Sequence, residues 1–521
     1  MRKSKGLIVS ALFGLSLIGA AISVQAATAP THGRFVVAFK AGQLTAARAA
    51  IKAAGGRELL DLSEGNALAV DLPLKAVAAL RANGQIAWVE QDVERHMMTD
   101  LVTPSGPPYA TGQLVPYGIK MVQADQLPVL DNLASDRTIC IIDSGYDISH
   151  EDLNGNRVTG ENLTTSGDWN TDEAHHGTHV AGTISAMNNT GIGVVGINPN
   201  EQLNIRIEKV FDASGSAPSS TIAKAMFRCG MNHANVVTMS LGGSSSSKIE
   251  QVAATWLAKR NTLIVAAAGN AGTSDVSYPA GFAEVVSVAA IDVNKAHASF
   301  SQFNDDVELA APGVSVYSTV PMGTGSASSL TVGNTSYSTN GLTGSPNATA
   351  TAPLYNYGTG EVSDPGVAGK ICVIQRGNIS FADKVTHCQT DGGVGAVIYN
   401  NAPGNFNGTL NGAVTSIPSV SVSDTDGAAL IAAVGQTATV AVMPSNYAYY
   451  DGTSMATPHV SGVAALVWSY FPHCTATQIR NVLDATAQDL GDAGRDVYYG
   501  YGLVQAKAAY DWLKANGCGA N

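Results

Sequence analysis

Four short apolar runs constrain this chain more than anything else in it: residues 138–142, 236–239, 263–267 and 285–289, dominated by Val, Ile and Ala. A strand with one wet face alternates apolar and polar residues. Runs without that alternation belong to strands covered on both sides, as in a parallel sheet with helices on both faces. Helical segments separate the runs, so the class is α/β with a mostly parallel central sheet. In such sheets the working residues gather at the carboxyl ends of the strands, and Asp143 directly follows the first run.

At 521 residues the chain has room for two to four domains. Residues 34–94 alternate differently from the sheet region: a strand at 35–39, a helix at 44–54 ended by Gly55-Gly56, strands at 58–62 and 67–72, a helix at 74–83 and a strand at 86–91. That βαββαβ order is ferredoxin-like. Residues 99–112, rich in Pro, Gly and Thr, read as an exposed linker. Residues 322–446 are rich in Gly, Ser, Thr and Asn and poor in charge, with strand-like runs at 369–377 and 393–399. They read as a small β-rich domain, inserted rather than appended, because the main pattern resumes at Tyr447.

The first residues place Arg2, Lys3 and Lys5 before an apolar stretch, residues 6–24, that ends in small residues at Ala26. This is the order of an export signal cleaved after Ala26, and it predicts a secreted protein without a membrane anchor. A net charge of -12, with no cluster of Lys and Arg, excludes a polyanion such as nucleic acid as partner. Six cysteines, all beyond the signal, suit disulfides in an oxidising compartment. Fifteen pairings are possible; proximity favours Cys372 with Cys388, Cys474 with Cys518 would tie down the C-terminus, and Cys140 with Cys229 follows by elimination.

Three motifs carry the chemistry. Gly452-Thr-Ser-Met-Ala-Thr-Pro458 puts Ser454 on a loop-to-helix turn, with an apolar stripe at Val460, Val463, Ala464 and Val467 behind it and only the front end exposed. A hydroxyl there sits among free backbone N–H groups, a setting suited to an oxyanion. Ile141-Ile-Asp-Ser-Gly145 supplies an acid and His176-Gly-Thr-His-Val-Ala-Gly182 a base. A serine hydroxyl needs a base to take its proton, and the base needs a carboxylate to fix its tautomer. A zinc reading of His176 and His179 fails on spacing, which lacks the Glu and the fifth-position His of a zinc helix.

In that chain order the three motifs resemble the subtilisin-like serine proteases, from residue 113 to 503 with the insert interrupting; Asp, then His, then Ser is the order of that family. The resemblance implies that Asp143 orients, His176 is the general base, Ser454 attacks and Asn270 completes an oxyanion hole. It implies a peptide substrate lying as an added strand between Gly215-Ser216 and Ser240-Leu241-Gly242, with Ala268 and Gly269 helping to wall a roomy, uncharged first pocket for apolar or aromatic side chains. It implies a structural Ca²⁺ held by Gln113, Asp152, Met187, Asn189, Ile192 and Val194. It also assigns the segments: residues 1–26 signal, 27–103 an inhibitory propeptide removed somewhere between residues 97 and 113, 104–321 with 447–521 the catalytic domain, and 322–446 a protease-associated domain. A monomer is expected. Two other readings stand against this one. A lipase or esterase would end the serine motif in Gly where Ala456 stands, and a catalytically silent binding protein would have lost one of the four site residues.

Overall fold

The computed structural model describes residues 31–98, 100–102, 113–127, 137–188, 191–199, 203–406 and 408–519. The export signal, and residue 99 and residues 103–112 of the expected linker, lie outside the described residues; residues 100–102 form a strand, not exposed linker.

A seven-stranded sheet forms the centre. From one edge its strands are Val307–Pro312, Val285–Ile291, Leu263–Ala267, Val236–Met239, Thr138–Asp143, Asn204–Lys209 and Arg157–Asn162, every neighbouring pair parallel. The apolar runs are continuous because successive side chains feed two different cores. Ile139, Ile141, Val236 and Val265 pack with Val180, Val460 and Ala464 on one face. Cys140, Ile142, Val237 and Ile264 pack with Ile222, Phe227 and Ile249 on the other. The first face is covered by helices His176–Ser185 and Thr453–Tyr470, the second by Ser219–Met231 and Lys248–Ala258. The chain runs from Thr138–Asp143 to one side of the sheet and later returns on the other side at Val236–Met239, so a crevice opens at the carboxyl ends of these two strands.

The N-terminal region forms a four-stranded antiparallel sheet, ordered Arg57–Leu62, Ala67–Pro73, His32–Phe39, Ile86–Gln91. Alternation within His32–Phe39 explains how it docks. Val37 and Phe39 join the small domain's own core with Ile51 and Leu80, whereas Val36 and Ala38 join the core beneath the two helices of the second face. The helix predicted for residues 74–83 divides into a 3-10 turn, Leu74–Ala76, and a helix, Val77–Arg81.

Strands Val316–Thr319 and Tyr447–Asp451 pair antiparallel, which brings the two ends of the insert side by side. Between them the chain builds an eight-stranded sheet with helices Phe381–Thr390 and Asp424–Ala432. The disulfides are Cys140–Cys229, Cys372–Cys388 and Cys474–Cys518.

Candidate active site

Asp143 ends its strand fully buried, and its Oδ1 lies 2.7 Å from His176 Nδ1. A carboxylate can only accept, so Nδ1 carries the proton and Nε2 presents its lone pair. The helix that holds His176 is fixed at its first turn. Ser144 Oγ accepts from Gly177 N–H at 2.8 Å, and Asp172 accepts from the Thr178 N–H and hydroxyl, each at 2.7 Å. Gly177 is required because a Cβ there would collide with the Gly145 carbonyl.

Ser454 is the second residue of the helix Thr453–Tyr470, after Gly452 at φ 150°. Its Oγ donates to the Ser240 carbonyl at 2.9 Å, and Ser240 Oγ returns a bond to the Ser454 carbonyl at 2.8 Å. The hydroxyl is therefore turned onto Ser240, and His176 Nε2 makes no hydrogen bond among the described residues. Asn270 Oδ1 accepts from both the N–H and the hydroxyl of Thr453, at 2.9 and 2.7 Å. Only the amide oxygen can meet two donors, so the amide nitrogen is the end left for a ligand.

The sequence predicts an exposed front end for this helix; in the structure Ser454 is fully buried. The cover is the chain's own segment Glu94–Met97, seated between Ser216–Pro218 and Leu241–Gly242 and antiparallel to both. Met97 N–H donates to the Gly215 carbonyl and Met98 N–H to the Ser240 carbonyl, each at 3.3 Å. The Met98 carbonyl accepts from Ser454 N–H at 3.2 Å. Beyond it, Asp100–Val102 continues as a strand paired antiparallel with Tyr447–Asp451. A peptide thus threads the whole crevice. Of the expected groove residues, Gly215, Ser216, Ser240, Leu241 and Gly242 meet this strand. Ala268 and Gly269 spend their N–H groups on Val288 and Thr453 instead.

Ser277 was missed. A Cβ on Gly242 would meet the Ser277 hydroxyl at 2.5 Å and the Met98 methyl at 2.9 Å, so these groups share one pocket. The signal was faint, one small polar residue in the loop after Ala271. Asp275 in that loop is exposed and its carboxylate accepts from the Thr273 hydroxyl.

Two further histidines are structural. His179 is buried, its Nε2 facing the carbonyls of Val316 at 3.0 Å and Ala448 at 3.2 Å and its ring stacked on Tyr450. Burial, then the nearness of His176, pushes it down to about 3. His459 donates from Nδ1 to the Met455 carbonyl at 2.8 Å, and burial pushes it down to about 4.

Of the expected cation ligands, Gln113, Asp152, Met187 and Val194 converge. Gln113 Nε2 bonds to the carbonyls of Met187 and Val194, the latter at 2.9 Å, and Asp152 Oδ2 accepts from Val194 N–H at 2.7 Å. The carbonyls of Met187 and Val194, the Asp152 carboxylate and, with its amide turned to present oxygen, Gln113 would be a donor set of the kind Ca²⁺ takes. Ile192 lies in the same loop with its side chain exposed, and Asn189 lies outside the described residues.

Comparison with known proteins follows the same lines. A family model described as the subtilase family matches residues 134–353, and one described as the PA domain matches residues 339–430. An alkaline protease of Alkalihalobacillus alcalophilus is 32% identical over 446 residues, covering 85% of this chain and 78% of its own. Subtilisin J of Geobacillus stearothermophilus is 29% identical over 522 residues, 97% of this chain and 99% of that protein. The solved psychrophilic subtilisin-like protease Apa1 of Pseudoalteromonas sp. AS-11 is 44% identical and superposes with a TM-score of 0.64, over 78% of this chain and 100% of that one.

Proposed function

The chain belongs to the subtilase family of serine peptidases, and from that premise we propose an exported endopeptidase, monomeric, made as a precursor that cuts itself after Met98. In this reading residues 1–26 direct export and are removed, and residues 27–98 form the inhibitory propeptide, a boundary a few residues earlier than the sequence suggested. The observation that carries it is the Met98 carbonyl, 3.2 Å from Ser454 N–H, on a strand gripped from both sides by main-chain bonds. Such a grip reads an extended peptide, not a small ester.

Catalysis begins as the Ser454 hydroxyl rotates from the Ser240 carbonyl to His176 Nε2. Oγ attacks the carbonyl carbon and its proton passes to Nε2, while Asp143 holds the tautomer and stabilises the imidazolium. Negative charge on the carbonyl oxygen is met by Ser454 N–H and the Asn270 amide nitrogen, which Thr453 aims. His176 then protonates the leaving nitrogen, the C–N bond breaks, and water repeats the sequence on the acyl-serine. The Met98 side chain beside Gly242 and Ser277 supports a preference for apolar residues in the first pocket.

Ca²⁺ enters as a structural ion. Gln113, Asp152, Met187 and Val194, joined by Asn189 and Ile192, would hold it and so tie the segment after the linker to the loop that follows the His176 helix. Among the described residues no helix is long and apolar enough to cross a membrane.

The test is casein hydrolysis. Ser454→Ala should lose on the order of 10⁶ in kcat; a variant that still degrades casein at the native rate would refute the assignment.

A further inference from the structure

Arg95 and Glu250 form an ion pair with both side chains fully buried. Burying two charges is costly unless geometry and hydrogen bonding are complete, and here they are. Arg95 Nε lies 2.9 Å from Glu250 Oε1 and Nη2 lies 2.5 Å from Oε2, a bidentate fork. Nη2 also donates to the Ser245 carbonyl at 2.9 Å, and Nη1 to the Glu94 carbonyl at 3.0 Å. Glu250 stands in the first turn of the helix Lys248–Ala258, where the dipole favours an anion. Gly243 walls the other side closely: a Cβ there would lie 3.1 Å from Nη1.

The two partners belong to different parts of the molecule. Glu250 is on the catalytic sheet's helix. Arg95 is on the strand that fills the groove, four residues before the bond to be cut when Met98 is counted as the first. On that strand His96 faces outward and Arg95 inward, as alternation demands. The propeptide also grips the domain through Glu90 and Asp92, which cap helices outside the groove. Arg95 differs from those two in occupying a position that every substrate residue in that register must occupy after it. Once the propeptide leaves, Glu250 has a carboxylate in a walled recess without the cation it was built around.

We propose that Glu250, the Ser245 carbonyl and Gly243 form a guanidinium subsite, so that the mature enzyme selects peptides with arginine four residues before the cleaved bond and an apolar residue at it. This rests on Ser454 being the nucleophile. The fork and the extra carbonyl distinguish arginine from lysine, whose single ammonium cannot meet both carboxylate oxygens and Ser245 in one plane.

The test uses enzyme matured from the full chain and quenched peptides of the sequence X-His-Met-Met-Thr, with X as Arg, Lys, Gln or Leu. In the precursor burial pushes Glu250 up to about 7 against the pull of Arg95; Arg95, Asp92 and Glu90 all leave with the propeptide, so the assay is run at about pH 8.5, well above the usual carboxylate range. The Arg peptide should exceed the Leu peptide in kcat/KM by about tenfold or more, with Lys between them. Glu250→Gln should bring the Arg to Leu ratio close to one. Equal rates for Arg and Leu peptides with the native enzyme would overturn the subsite and leave the protease reading intact. Failure to cut any peptide would overturn that reading instead. If Glu250→Gln does not mature, the native enzyme's ranking of the four peptides decides alone.

Discussion

Three histidines stand on or close to the helix Thr453–Tyr470, and their surroundings separate their roles. His176 has a carboxylate on one nitrogen and a free lone pair on the other; His179 and His459 are enclosed among carbonyls and apolar groups and stay neutral. Both are pushed below the ordinary 6.5, to about 3 and about 4. The unfolded chain therefore takes up protons near pH 6.5 that the folded one refuses. Their stabilising effect is complete above that pH and falls away as pH drops toward the folded values. For His459 the loss is on the order of 2 kcal/mol at about pH 5. Urea unfolding of the Ser454→Ala protein should show stability declining from about pH 6.5 downward, with a shallower decline in His459→Asn, whose amide can replace Nδ1. An identical slope would contradict it. Asp143, His176, Ser454 and Asn270 were legible because each sits in a short motif whose chemistry is local. Glu250 was not: an acid in a first helical turn reads as a complement to the dipole until the strand that meets it is in place.

Elements meet at helix ends, and that is how the N-terminal domain holds the catalytic one. Asp92, its side chain fully buried, accepts from the Ser219 and Ser220 hydroxyls and from the Ser220 N–H, the last at 2.7 Å, at the start of Ser219–Met231. Glu90 accepts from the N–H groups of Lys248 and Ile249 at the start of Lys248–Ala258. Neither helix has a side-chain cap of its own at the residue before it, so the N-terminal domain supplies the missing acceptors. A cap is worth about 1 kcal/mol. Glu90→Ala should therefore raise the propeptide's inhibition constant about fivefold, and Asp92→Ala, which strands buried donors, by about tenfold or more. Unchanged inhibition by both would show that the outer contacts contribute nothing. The central strands and most of the small sheet could be read from period and turn residues alone. The capping between domains could not, because the donor helix and the acceptor residue are separated by more than a hundred positions.

On the scale of the whole molecule, one segment connects everything: it leaves the N-terminal sheet, lies in the groove, passes Ser454 and then pairs with Tyr447–Asp451. That last strand is also the returning root of the inserted domain, and His179 bonds to both roots, at Val316 and Ala448. The insert is thus joined to the wall of the groove beyond Met98, one link from the His176 helix. The division into domains was visible in composition, but the path of the connecting segment was not, since nothing local in residues 94–98 marks them as a ligand. In the proposed function this segment is the enzyme's first substrate. The intact mass of the pieces released by the purified precursor tests it most directly. The native chain should yield a propeptide ending at Met98 and a mature chain beginning at Thr99, while Ser454→Ala stays whole. Cleavage at that bond in the Ser454→Ala chain, or native cleavage elsewhere, would contradict it.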